Sequence, residues 1–381
     1  MFHLTYERCS SLWTPGAGAW PNPTYESLGG GGEMSRQLKL TKFANLSISD
    51  PFFDSLKEGY EEFPDWFASK RDEDVYIVHD GSELSGMVYL KLEVGAVNDV
   101  VPSLPPKRWL KVGTLKIIGR GTKLGERVLK KIFDTALSVD ADGIYVTVFE
   151  LHATLIELFT NYGFVEVGLK ATRNGVERVF ARDLNSISGD LKADYPFINL
   201  HNQSAWLLAI YPEFHTRLLP DSILNNEPLQ IIQDVSHSNT IHKVYIARLA
   251  LTRMRRGDVV IFYRTTDHVA PARFRSVVTS VCVVEEVRPK RSFASLDEFL
   301  AYTRPRSVFA DDELRDWYAE RRMAVAKLTY NAAFNRRITR GQLIDDGLIS
   351  EQPRWDLRAL THSQLRDILS LGGVNARLIV D

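Results

Sequence analysis

Hydrophobic residues recur with two rhythms along this chain. Over Lys123–Val139 they return every three or four positions, with Leu124, Val128, Leu129, Ile132, Phe133, Ala136 and Leu137 on one face, which predicts an amphipathic helix. Phe52, Phe53, Leu56, Tyr60, Phe63, Trp66 and Phe67 keep the same spacing and predict two short helices broken at Pro64. A further helix is expected over His152–Tyr162, closed by Gly163. Short apolar runs predict strands at Leu38–Phe43, Val75–His79, Leu84–Val94, Trp109–Ile118, Gly143–Phe149, Val165–Ala171 and Arg178–Arg182. Asp80-Gly81 reads as a turn and 95–108, with three prolines, as a loop. Beyond a polar stretch the texture turns to strands at Trp206–Tyr211, Lys243–Leu249, Asp258–Tyr263 and Ser276–Val287. Helices follow at Leu296–Tyr302, Asp311–Ala319, Thr339–Asp345 and Thr361–Leu369.

This order predicts an α/β (α+β) protein: a mixed central sheet flanked by helices over 34–186, a linker over 187–203, and a second β-rich domain with a C-terminal helical extension over 204–381. A length of 381 residues suits two or three domains. No apolar run reaches the roughly 20 residues that span a bilayer, so no membrane partner is expected. The net charge of -1 names no partner. Two cysteines, Cys9 and Cys282, make neither a disulfide framework nor a zinc cage, and a reduced, cytoplasmic setting is expected. Residues 1–33 show neither period and read as a tail. A second reading takes them as translated leader, with Gly29–Gly32 and Glu33 encoded by a ribosome-binding stretch and Met34 as the start.

The segment Lys116-Ile117-Ile118-Gly119-Arg120-Gly121-Thr122-Lys123-Leu124-Gly125-Glu126 follows a predicted strand and opens a predicted helix. Glycines let a backbone approach a ligand, the unpaired amides of a first helical turn point at it, and the helix dipole favours negative charge. Arg120 and Lys123 add positive charge. The outline is a pyrophosphate cradle; such a junction is also often only a turn.

The element order, this loop, and the helix ending Leu158-Phe159-Thr160-Asn161-Tyr162-Gly163-Phe164 resemble the GNAT family of acyl-CoA N-acyltransferases over about residues 36–182. The family loop reads Arg/Gln-x-x-Gly-x-Gly/Ala. Arg120 and Gly125 match it, and Lys123 stands where the middle glycine usually is. The resemblance implies acetyl-CoA as cofactor. Backbone amides of Arg120, Gly121, Thr122, Lys123, Leu124, Gly125 and Glu126 would hold the pyrophosphate, and the strand near Leu115 and Ile117 would face the pantetheine arm. Many members carry a tyrosine where Phe159 stands, to protonate the leaving thiolate. Tyr145 and Tyr162 are the candidate replacements, although Tyr162 reads more simply as a packing residue. A general base for an ammonium acceptor falls to Glu150 or His152, whose plainer readings are an exposed loop carboxylate and a helix-start histidine.

Residues 195–381 hold 25 Lys and Arg, 22 of them arginine, against 21 Asp and Glu. Arginine offers a planar fork for phosphate and stacks on bases. Trp206, Arg253, Arg255, Arg256, Tyr263, Arg264, Arg273 and Arg275 are the candidate nucleic-acid contacts; a solvated arginine-rich surface is the plainer reading. Gly257-Asp258 leading into an apolar strand, followed by a long β-branched strand, resembles the PUA-like barrels of ASCH and EVE type over about residues 204–300. That resemblance implies binding of RNA or modified bases. Five histidines between 200 and 270 match no ligand spacing, so no metal is expected.

Together these features lead to an expected N-acetyltransferase acting on an amine of RNA, tRNA included, or on an RNA-linked substrate. An aminoacyl-tRNA toxin with an antitoxin partner, a base-modifying enzyme and a homodimer all fall within that reading. The alternative is a degenerate acyltransferase kept as an acyl-CoA sensor or scaffold attached to a reader of modified nucleic acid.

Overall fold

The computed structural model describes residues 4–7, 38–80, 82–118, 122–219, 222, 240–267, 271–352 and 355–381. The first sheet is built from β1 (Leu4–Glu7), β2 (Lys39–Lys42), β3 (Asp74–Asp80), β4 (Glu83–Val97), β5 (Leu104–Ile118), β6 (Gly143–Val148), β7 (Val165–Thr172) and β8 (Gly175–Asp183). Its order is β2-β3-β4-β5-β6-β8-β7, with β1 attached to β5. Only the β5–β6 pair on that path is parallel.

Four helices cover this sheet: α1 (Asp54–Gly59), α2 (Phe63–Ser69), α3 (Thr122–Ser138) and α4 (Ala153–Asn161). The apolar stripe read from α3 packs on one face, where Val128, Ile132 and Phe133 meet Leu115, Ile144 and Val146. Leu56 of α1, the flanking Phe52, Phe53 and Tyr60, and Phe63 and Phe67 of α2 bury with Val75, Ile77 and Met87 on the other. After α4, Gly163 takes a φ of +80° and the backbone oxygen of Ala193 lies 2.4 Å from where a Cβ would sit, so the expected C-cap is required twice over.

The second sheet carries β10 (Ala205–Ile210), β11 (His242–Ala247), β12 (Val259–Arg264), β13 (Val277–Pro289), β14 (Ala324–Thr339) and β15 (Leu357–Leu360), in the order β11-β14-β13-β12-β10-β15. Two short strands, β9 (Ile198–Asn199) and β16 (Ile379–Val380), pair beside it. Helices at Leu296–Thr303 and Asp311–Ala319 follow β13, and His362–Leu371 follows β15. The mixed α/β class expected from the sequence is what is observed. No helix among the described residues is long and apolar enough to cross a membrane.

Three readings change. Residues 95–108 are a loop only in the middle, because β4 runs to Val97 and β5 starts at Leu104. β14 and β15 were not read from the sequence. Within the stretch expected to lack strand character, Leu4–Glu7 forms β1 by borrowing a free edge of β5.

Candidate functional site

The first site follows from where two strands part. β5 and β6 pair only over Trp109–Val112 with Gly143–Val146. Beyond Val112, β5 continues against β4 to Ile118, while β6 continues against β8. The sheet therefore opens on the Leu115–Ile118 edge of β5. Leu115 and Ile117 are 1% exposed with side chains in the core, so that edge offers backbone only. β1 lies along it in parallel register, Leu4 opposite Leu115 and Tyr6 opposite Ile117. An extended, amide-bearing cofactor arm fits the same edge, because the chain's own backbone stands in for one there.

Arg120 and Gly121 fall outside the described residues, as do the side chains of Thr122 and Lys123. Helix α3 starts at Thr122, so the amides of Thr122, Lys123 and Leu124 belong to the first turn and lack intrahelical acceptors. A Cβ on Gly125 would stand 3.0 Å from Leu158 Cδ2, so this glycine lets α3 and α4 close on each other. Leu124 is half-buried against the core. The Glu126 side chain turns away, 3.4 Å from the Arg306 guanidinium of the second unit.

Carrying the β6–β8 register onward from Val148–Arg178 puts Phe149 opposite Glu177, just past the end of β6 on the side where β5 and β6 have parted. Glu177 is 1% exposed. Burial raises its carboxyl above the usual range, against a hydrogen bond from Thr147 and the charges of Lys170 and Lys111. Tyr60 lies close enough for Glu177 to help burial raise the phenol pKa, and its ring stacks on Phe149 at 6.2 Å. The sequence reading missed Glu177. Its signal was a carboxylate in register with the inward-facing Val179 and Ala181 on β8.

The four predicted catalytic residues do not converge. Glu150 is exposed just past β6. His152 is the N-cap residue of α4, its carbonyl accepting from the Leu155 and Ile156 amides. Tyr145 is fully buried and donates to Glu93, with burial first and then that carboxylate raising its pKa. Tyr162 is 1% exposed, and its hydroxyl is 2.9 Å from His242 Nε2 of the second unit. Phe159 is core, 4.8 Å from Phe164.

Tyr162 belongs to a buried polar seam between the two sheets. His242 Nδ1 bonds Glu285, which also takes Lys327 at 2.7 Å. Burial alone would raise the Glu285 carboxyl; the His242 hydrogen bond and the His242 and Lys327 charges instead pull it down to about 2. Tyr195 donates to the Tyr330 carbonyl, and Asn331 to that of Pro196, across the same seam.

The predicted nucleic-acid residues separate into buried and exposed groups. Trp206 is 6% exposed and donates to Asp258 at 2.8 Å, with Arg253 stacked 4.9 Å over its ring. Tyr263 and Arg264 are buried. Arg273 pairs with Asp345, and Arg275 with Asp267. Arg253, Arg255 and Arg256 are exposed together on the turn before β12. Toward the far end of β12 lies a cluster the sequence reading did not assemble. His215 Nε2 bonds Thr279, Ser222 bonds Tyr330, and Lys243 lies 5.4 Å over the Tyr330 ring. Burial, then the Arg264 and Arg337 charges, lower the His215 pKa to about 3, so this imidazole is neutral. Of the remaining histidines in this stretch, His237 and His268 lie outside the described residues.

No protein-family model and no curated protein matches the chain. Among solved structures, the chain is similar to ASCH from Zymomonas mobilis at 15% identity and a TM-score of 0.31, over 44% of this chain and 94% of that one. It is also similar to the ribosomal-protein-S18-alanine N-acetyltransferase from Escherichia coli at 14% identity and a TM-score of 0.29, over 41% and 99%. The NatC complex bound to Gag peptide and CoA is similar at 14% identity and a TM-score of 0.28, over 39% and 98%. Such partial, low-identity likenesses leave the activity to be argued from the residues of this chain.

Proposed function

We propose that the chain is an acetyl-CoA-dependent N-acetyltransferase whose acceptor amine is carried by RNA. The observation that supports this most is the opening between β5 and β6 with the buried carboxylate of Glu177 on the neighbouring strand, just past the last β6–β8 pair. Acetyl-CoA would supply the activated acetyl group. The edge Leu115–Ile118 would hold its arm by main-chain hydrogen bonds, and the first-turn amides of α3 would face its phosphates. Glu177 would take the proton from the acceptor ammonium. A raised carboxyl pKa makes it a stronger base at neutral pH, and the Thr147 hydrogen bond fixes its orientation.

RNA is the acceptor class favoured by the second unit. A phosphodiester needs cations and hydroxyl donors brought together, and Lys243, Arg264, Arg337, Thr279 and Ser222 converge there, with Arg253, Arg255 and Arg256 exposed at the opposite end of β12. The test uses full-length protein, labelled acetyl-CoA, total RNA and aminoacyl-tRNA. Label that becomes soluble on nuclease treatment, and that Glu177→Gln removes, is the expected result. Label on protein alone would overturn the acceptor. Binding without turnover would replace the enzyme with the acyl-CoA sensor.

A further inference from the structure

A cavity of about 490 Å³ opens in the second unit, lined in part by chain neighbours of His215, Lys243 and Arg264. It lies between the end of β10, the helix Pro212–Leu218, β11 and the helix Asp311–Ala319. Its floor is aliphatic, from Ile210, Val244 and Ile246. Its walls are the rings of Phe214, Tyr245, Phe309 and Trp317.

Two properties select what fits. The first is ring geometry. Phe214 and Phe309 lie 5.1 Å apart at 55°, and Phe309 and Trp317 lie 5.7 Å apart at 58°. A flat base is held best between parallel faces; inclined faces surround a rounded group instead. The second is charge. Arg248 at the rim is neutralised by Glu320 and lies 5.9 Å over the Trp317 ring, so that indole already holds a cation. Asp356, also lining the cavity, is exposed and makes no ion pair or side-chain hydrogen bond among the described residues. Among the described lining residues the charge without an ion pair is that of Asp356, and the Arg217 guanidinium is bonded to the Val308 carbonyl beside them. Within the lining, the buried Thr265 hydroxyl also has no hydrogen-bond partner. Aromatic faces set at angles around a cavity with a carboxylate at its rim match an organic cation, because the ring quadrupoles and the carboxylate attract the same sign of charge.

We propose that this pocket binds an alkylated ammonium ion, with its methyl or methylene groups among the Phe214, Phe309 and Trp317 rings and its charge toward Asp356. The cavity leaves room for a chain attached to the ammonium group. The site is independent of the acetyl-transfer reading.

The test is isothermal titration of the full chain with choline, with its neutral isostere 3,3-dimethylbutan-1-ol, and with adenosine. Choline is expected to bind about tenfold more tightly than the isostere, the difference being the cation–π and carboxylate attraction. Asp356→Asn, an exposed substitution outside the core, is expected to weaken choline several-fold and leave the isostere unchanged. Phe309→Leu is expected to weaken choline further while circular dichroism stays native. Equal binding of choline and isostere would reduce the site to an apolar cavity and overturn the proposal. Adenosine binding without choline binding would make it a nucleobase pocket and overturn it equally. No binding of choline by folded protein at millimolar concentrations would also overturn it.

Discussion

Glu285→Gln tests the seam most directly, because it removes one charge and keeps the shape. The Glu285 carboxyl is held at about 2 against an ordinary 4.5, so its ionised form is favoured in the folded state by about 3 kcal/mol. A lowered folded-state pKa contributes stability that is complete above the unfolded value and lost as pH falls toward the folded one. The full contribution is thus present at pH 7. Acidification to pH 3.5 removes about 1.4 kcal/mol of it, and the remainder goes on approaching pH 2. The variant lacks this term, so its melting temperature should lie about 4 °C lower at neutral pH if the chain unfolds as one unit. The gap should narrow by nearly half at pH 3.5. Thermal scans of both proteins from pH 7 to 3.5 measure it. Parallel profiles at every pH would show that His242 and Lys327 do not hold the carboxylate, and the reasoning about the seam would fail.

Glu177→Gln should lower kcat at least a hundredfold if Glu177 is the base. It should also raise the melting temperature slightly, since a raised folded pKa marks a carboxylate whose ionised form is destabilised by burial. Thr147→Val removes a hydrogen bond that lowers the Glu177 pKa, so the acid limb of the kcat profile should move to higher pH; an unmoved limb would exclude Glu177 as the titrating group. Removing residues 1–33 should tighten acetyl-CoA binding about tenfold or more by freeing the Leu115–Ile118 edge, and unchanged affinity by titration would show that β1 does not compete. Gly143→Ala would put a Cβ 2.4 Å from Trp109 Cζ3 where β5 and β6 first pair, and should cost about 1–3 kcal/mol in urea unfolding.

The first half of the chain was largely legible because its elements keep clean periods. The apolar stripe of α3 and the glycine after α4 both sit where spacing put them. β14 was not legible for a physical reason. It is long, rich in alanine and polar residues, and its pairing with β13 shifts register at three places, which breaks the alternation a strand leaves in sequence. The site residues were legible by type more than by role. Arginine counts cannot separate an exposed Arg255 from Arg273, whose acid partner is 72 residues away. Tyr162 reads as a helix-end tyrosine until the fold brings His242, 80 residues on, to its hydroxyl. Glu177 was visible in the alternation of β8 and was passed over because the motif search looked just past the central strand.

The Leu4–Glu7 strand on β5 has a consequence for any affinity measured on this protein. Residues 8–38 join it covalently to the sheet it lies on. A tethered segment meets its own groove at an effective concentration set by the connecting chain, in the millimolar range for short flexible connections, and this does not change with dilution. A diffusible molecule using the same edge therefore works against a competitor that cannot be washed away. Its apparent dissociation constant would be multiplied by the ratio of all chains to open ones. Two preparations differing only in the length of their N-terminal segment would then report different affinities for a pocket whose lining is identical.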